Sequence, residues 1–256
     1  MRARFDVNLS ILFTDLPLLE RPAAAAKAGF DAVELWWPFG GPEPASARLG
    51  ELRQAIEDAG VRLVGLNFDA GDMAAGERGL VARRDGSTRF RANIDVAVEL
   101  AGGLGCRVLN ALYGNGPDTD RGLAVANLRR AADAAAGIGA TVVVEALNSH
   151  ENPKYPITSS QAAFDLIDEV DRENVAFLAD LYHLHRMGED VLNLIDRHAA
   201  RFGHVQIADD PGRGAPGSGR MPYEEIFTRL AAAGYGGHVG LEYRHEGPGA
   251  FDWRRS

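Results

Sequence analysis

Thr141-Val-Val-Val-Glu145-Ala-Leu-Asn148-Ser-His150-Glu151 is the stretch whose reading decides the fold. Its β-branched run is too short for a helix and too apolar for a strand with one face in water. It reads as a strand buried on both faces, the kind found where helices cover a parallel sheet. The run ends in Glu145, at the point where such a strand leaves the core. Strand C-termini in parallel α/β proteins carry the chemistry, so the carboxylate is well placed to act. A single glutamate there is equally well an ordinary surface residue. Similar positions further along the chain decide between the two.

Working outward, the same strand-then-helix unit recurs on both sides. Strands are expected over 5–8, 31–35, 61–67, 107–110, 175–180, 203–207 and 238–243, besides 141–145. Helices are expected over 17–28, 45–59, 87–104, 120–138, 159–170, 189–198 and 222–233. Gly29, Gly60 and Gly234 stand where helices stop, and Ser159 or Ser160 where one starts. A polar, glycine-containing excursion over 69–86 breaks the rhythm and reads as a surface loop or short insert. About eight strand–helix units without a linker point to one (β/α)8 TIM barrel over residues 1–256. The competing doubly wound sheet loses support because no Gly-x-Gly-x-x-Gly follows the first strand.

Composition narrows the function. A formal charge of −9 disfavours nucleic acid or an anionic membrane as partner. Cys106 is the only cysteine, which excludes an intrachain disulfide and any multi-thiolate metal site. The first residues show no signal-peptide pattern, and no apolar run reaches spanning length, so a soluble, cytoplasmic protein is expected. Neither heptads nor a sticky edge decide whether the chain forms a homo-oligomer.

Four consecutive strand ends carry polar residues after apolar runs: Glu145, Asp180 in Phe-Leu-Ala-Asp, Gln206 in Gly-His-Val-Gln, and Glu242 in Val-Gly-Leu-Glu. Neighbouring parallel strands lie about 5 Å apart, so these side chains can converge. Three carboxylates so close repel unless protonated or bound to a cation. Oxygen ligands without thiolate favour Mg²⁺ or Mn²⁺ over a structural zinc site.

Here the sequence resembles the hydroxypyruvate isomerases, within the xylose isomerase-like barrels. The resemblance rests on Glu145-Ala-Leu-Asn148, Asp180-Leu-Tyr-His183, His204-Val-Gln206-Ile-Ala-Asp209 with Pro211-Gly212-Arg213, and the four strand ends. Asn8-Leu-Ser-Ile-Leu-Phe-Thr and Lys27-Ala-Gly-Phe-Asp-Ala-Val-Glu34 extend it over nearly the whole chain. Gln206 is its most specific part, since related ketose 3-epimerases usually present histidine there. The resemblance implies a divalent metal held by Glu145, Asp180, Gln206 and Glu242. It also implies that Glu145 and Glu242 are the proton-transfer pair.

The chemistry of these groups agrees with that picture. Aldose–ketose isomerisation moves a proton between adjacent carbons through an enediolate, which needs two carboxylates and an electrophile. The expected reaction is hydroxypyruvate to tartronate semialdehyde, with 2-oxo-tetronate isomerisation or ketose 3-epimerisation as alternatives. Candidate substrate-binding groups are His183, Glu151, Arg213 in a mobile-looking glycine-rich loop, Lys154, and Trp37 with Trp36 as walls. His185, His198, His204, His238 and His245 show no ligand spacing and are assigned no role. A DNA-repair nuclease on the same barrel would need several metal ions, many histidines and a basic groove. A non-catalytic binding barrel would keep the metal without turnover.

Overall fold

The computed structural model describes residues 3–245 and 249–255. Its strands are β1 (Arg4–Asn8), β2 (Ala32–Leu35), β3 (Arg62–Asn67), β4 (Val108–Asn110), β5 (Thr141–Glu145), β6 (Val175–Asp180), β7 (Phe202–Ile207) and β8 (His238–Leu241). They pair in parallel, in chain order, and β8 returns to β1 to close the barrel. Closure leaves no unpaired edge, and it explains the valine run of β5. Val142, Val143 and Val144 are fully buried, each worth about 1.5–3 kcal/mol relative to an exposed side chain.

The outer layer is α1 (Arg21–Lys27), α2 (Ser46–Asp58), α3 (Ser87–Gly103), α4 (Arg121–Ala136), α5 (Ser160–Val170), α6 (Leu181–Arg186), α7 (Val191–His198) and α8 (Tyr223–Ala232). Asp120 caps α4 by accepting from Leu123 N at 2.8 Å, and Ser159 caps α5 through Ala162 N. Both satisfy amides that a helix start leaves without partners. Pro22 falls in the first turn of α1, where its missing N–H costs nothing. The segment expected as one helix over 17–28 is split into a 3-10 turn, Leu18–Glu20, and α1.

Two segments differ more from expectation. A short helix, α6, starts directly at Asp180, whose Oδ1 accepts from the amides of Tyr182 and His183 at 2.9 and 3.1 Å. The excursion over 69–86 is not a plain surface loop. Leu80, Val81 and Ala82 are buried, and Ala82 N donates to Tyr113 O at 2.7 Å. Asn127 of α4 donates to Val81 O at 2.7 Å, and Arg89 of α3 pairs with Asp69 at 2.6 Å. The insert is therefore knitted over the C-terminal mouth of the barrel.

Candidate active site

At the strand ends, register sets the site. Asp180 of β6 lies opposite Gln206 of β7, and Gln206 lies opposite Gly240 of β8. Glu145 is the last residue of β5, and Glu242 follows β8 by one position. All four side chains are buried. Glu145 Oε2 accepts from Asn110 Nδ2 at 2.8 Å. Glu242 Oε1 accepts from Trp36 Nε1 at 2.7 Å and from Asn8 Nδ2 at 3.0 Å, while its Oε2 pairs with Arg213.

Burial raises all three carboxyls, and repulsion from neighbouring carboxylates, Glu34 among them, adds to it. Glu145 is held well above the ordinary range by burial, Glu242 and Asp180. Burial pushes Glu242 up to about 7 and Asp180 up to about 6, with Arg213 opposing both shifts. A site that keeps carboxyls protonated near neutrality is built to receive positive charge.

The donor set fits a divalent cation. Ligand atoms of Glu145, Asp180 and His183 lie within 4.8 Å of one another. Gln206 donates its amide to Glu34 Oε1 at 2.8 Å, which leaves Gln206 Oε1 buried without a hydrogen-bond donor. A buried acceptor so abandoned is costly unless a cation or a donor meets it. His183 is better placed as a donor than as a ligand. Burial and Arg213 hold it neutral, and its Nδ1 accepts from Asn148 N at 3.2 Å. The proton is therefore on Nε2, 3.5 Å from Asp180 Oδ2.

The cavity above has a volume of about 520 Å³, and Glu145, Glu242, His183, Glu151 and Arg213 all line it. Tyr182 donates to Glu151 Oε1 at 3.1 Å, and Asn148 donates to Oε2 at 3.0 Å. Two of the expected substrate contacts fall elsewhere. Trp37 lines an adjoining cavity of about 600 Å³ and donates its indole N–H to Gly41 O at 2.8 Å. Lys154 is exposed and does not line the main cavity. Trp36 does line it and holds Glu242.

The glycine-rich loop after β7 is pinned rather than mobile-looking. Asp209 accepts from Gly217 N and Met221 N at 2.8 and 3.0 Å, and Arg186 pairs with Asp210 at 3.0 Å.

Sequence reasoning missed the layer below. His204, assigned nothing, bonds Glu34 Oε2 at 2.8 Å, with Asp6 at 3.9 Å. Burial alone would lower His204, but Glu34 and Asp6 outweigh it and hold the imidazole at about 8. Glu34 in turn accepts from Asn8 at 2.9 Å and from Gln206. This interior layer sets the rotamers of two residues that serve the site. The only sequence signal for it was polarity inside apolar runs.

This barrel, with its strand-end carboxylates, is of the xylose isomerase-like TIM barrel class, and the model of that family matches residues 22–256. The chain is 56% identical to a Streptomyces coelicolor protein named "Putative hydroxypyruvate isomerase", over 94% of this chain and 90% of that one. It is 37% identical to a 2-oxo-tetronate isomerase of Cupriavidus necator, covering 94% and 92%. A solved structure from Brucella melitensis, named AP endonuclease, family 2, superposes with TM-score 0.88 at 38% identity, covering 96% and 95%. The chain belongs to the hydroxypyruvate isomerase family, a family of isomerases.

Proposed function

We propose that the protein is a metal-dependent aldose–ketose isomerase of small oxo hydroxy acids, with hydroxypyruvate to tartronate semialdehyde as its reaction. One observation carries this reading: Glu145 and Glu242 enter one cavity from strands separated by two others, both with raised carboxyls. One takes the proton from C3 of hydroxypyruvate, giving an enediolate, and a proton is then delivered to C2. Burial lifts both carboxyls, Glu242 to about 7, which suits groups that must give and take a proton.

Glu145, Asp180, Gln206 and Glu242 would hold the cation, Mg²⁺ or Mn²⁺, which supplies Lewis acidity to the carbonyl and stabilises the developing oxyanion. The Nε2–H of His183 donates to a substrate oxygen, and Glu151 orders this edge through Tyr182 and Asn148. Trp36 and Asn8 fix Glu242 in its rotamer, so the carboxyl is aimed before substrate arrives.

A four-carbon 2-oxo-tetronate is the next substrate to consider, given the Cupriavidus relative's name. Epimerisation of ketoses uses the same carboxylate pair, and Gln206 in place of histidine counts against it. The name of the Brucella structure points to DNA repair, but a charge of −9 opposes it. Among the described residues, neither acidic–histidine group holds more than one histidine.

Proton NMR in D₂O tests the reading with Mn²⁺- or Mg²⁺-loaded protein and hydroxypyruvate. Deuterium entering C3, an aldehyde hydrate signal and loss of both in EDTA are the expected results. No exchange in protein shown to hold its metal would remove hydroxypyruvate and turn the search to four-carbon acids.

A further inference from the structure

Glu145 and Glu242 line the cavity, and three arginines, Arg78, Arg213 and Arg244, also reach it. Arg213 is already neutralised, since it pairs with Glu242 and lies 3.9 Å from Asp180. The other two are not.

Arg78 comes from the insert over the barrel mouth. Its Nε donates to Asn152 Oδ1 at 3.0 Å, and its Nη1 donates to Met73 O at 2.9 Å and Glu77 O at 2.7 Å. These bonds use three of the five guanidinium N–H groups. Both Nη2 hydrogens lack a protein acceptor, and no carboxylate pairs with Arg78 among the described residues. Arg83 and Arg89, on the same insert and its flank, are both paired with carboxylates. Burial, Arg213 and Arg244 all make the charge on Arg78 less favourable, and Glu151 alone opposes them. Arg244 follows Glu242 by two residues, is exposed, and has no side-chain partner among the described residues. Its backbone N–H donates to Arg213 O at 2.7 Å, which fixes that segment on the loop after β7.

A half-buried guanidinium that shares a cavity with two others, and is disfavoured by their charge, is stabilised by an anion bound among them. A carboxylate fits best, because its two oxygens match the guanidinium fork. We propose that Arg78, assisted by Arg244, binds the substrate carboxylate and selects oxo acids over uncharged ketoses. The proposal rests on the oxo-acid isomerase reading, and it gives the substrate a direction: carboxylate toward the insert, carbonyl toward Glu145 and Glu242.

The test uses full-length, metal-loaded protein with Arg78→Met, Arg78→Lys and Arg244→Met. Arg244→Met guards against misfolding, since the Arg244 side chain anchors nothing in the fold. Kinetics with hydroxypyruvate are measured beside calorimetric binding of malonate, an inert carboxylate, and of dihydroxyacetone, an uncharged analogue. Removing the charged contact should weaken malonate binding roughly 10- to 100-fold in Arg78→Met, and less in Arg244→Met. The kinetic loss should fall mainly on KM, Arg78→Lys should recover only part of it, and dihydroxyacetone binding should be unmoved. Malonate affinity and KM unchanged in folded Arg78→Met and Arg244→Met would overturn the proposal while leaving the reaction intact. Loss of malonate binding in the variants of a protein that turns over no oxo acid would support the site and refute the reaction.

Discussion

Replacing Asp180 with asparagine should stabilise the metal-free protein while weakening its affinity for metal. Asp180 is almost wholly buried, and its carboxyl is raised from 3.8 to about 6, burial outweighing Arg213 and the two amides it caps. Below pH 3.8 both folded and unfolded chains carry the proton, so the group contributes nothing. As pH rises toward 6 the unfolded chain releases its proton first, and the folded state loses stability. Above 6 the loss is complete and constant. A tenfold difference in proton affinity between the folded and unfolded chains is worth about 1.4 kcal/mol, so the loss is at most about 3 kcal/mol.

Asparagine escapes this loss yet can still accept from Tyr182 N and His183 N, because Asn and Asp cap helices about equally. In EDTA, urea unfolding at pH 8 should show Asp180→Asn more stable than wild type by up to about 3 kcal/mol, with the gap closing toward pH 4. Adding Mn²⁺ at about 1,000 times Kd should reverse the order, since binding there stabilises wild type by about 4.1 kcal/mol. A folded Asp180→Asn protein less stable than wild type in EDTA at pH 8 would refute the reasoning. Burial would then not be holding the Asp180 carboxyl above its ordinary range.

Two further outcomes follow from the same geometry. Glu242→Gln should keep its metal, read by calorimetry, and lose roughly 10²- to 10⁴-fold in kcat, the range for a positioned proton-transfer group; full turnover with metal bound would end the two-glutamate mechanism. Gly240→Ala would bring a methyl to 2.9 Å from Glu34 Oε1 and 3.0 Å from Gln206 Cγ. It should cost about 1–3 kcal/mol in thermal unfolding and weaken metal affinity as well, and an unchanged melting temperature would show that the interior layer yields freely.

The barrel was legible because short strands buried on both faces are nearly unbroken apolar runs, and each polar residue ending one stands out. Glu145, Asp180, Gln206 and Glu242 were visible for that reason, as were the helix stops at Gly29, Gly60 and Gly234. Asp6, Glu34 and His204 were not. A strand covered on both sides does not reveal which residues point inward, and these three come from β1, β2 and β7, far apart in the chain.

Insert 69–86 misled because specific partners hold it, Asn127 at the Val81 carbonyl and Arg89 at Asp69, and composition cannot show pairing. Trp37 was placed at the substrate because it follows a strand end, and Lys154 because its charge suits a carboxylate. Only the paths of those loops decide which side chain turns inward, and Trp36 does so while Trp37 bonds to Gly41.

The anchoring of Arg78 in the insert, apart from the barrel wall, has a consequence for descent. Glu145, Asp180 and Gln206 ride on strands whose geometry the closed sheet enforces, whereas Arg78 rides on a segment joined to the wall by loops. A lineage can exchange or lengthen that segment and acquire a different substrate tail without disturbing the proton-transfer machinery beneath it. Divergence in this scaffold is then expected to accumulate in the segment between β3 and α3, while the strand ends stay fixed.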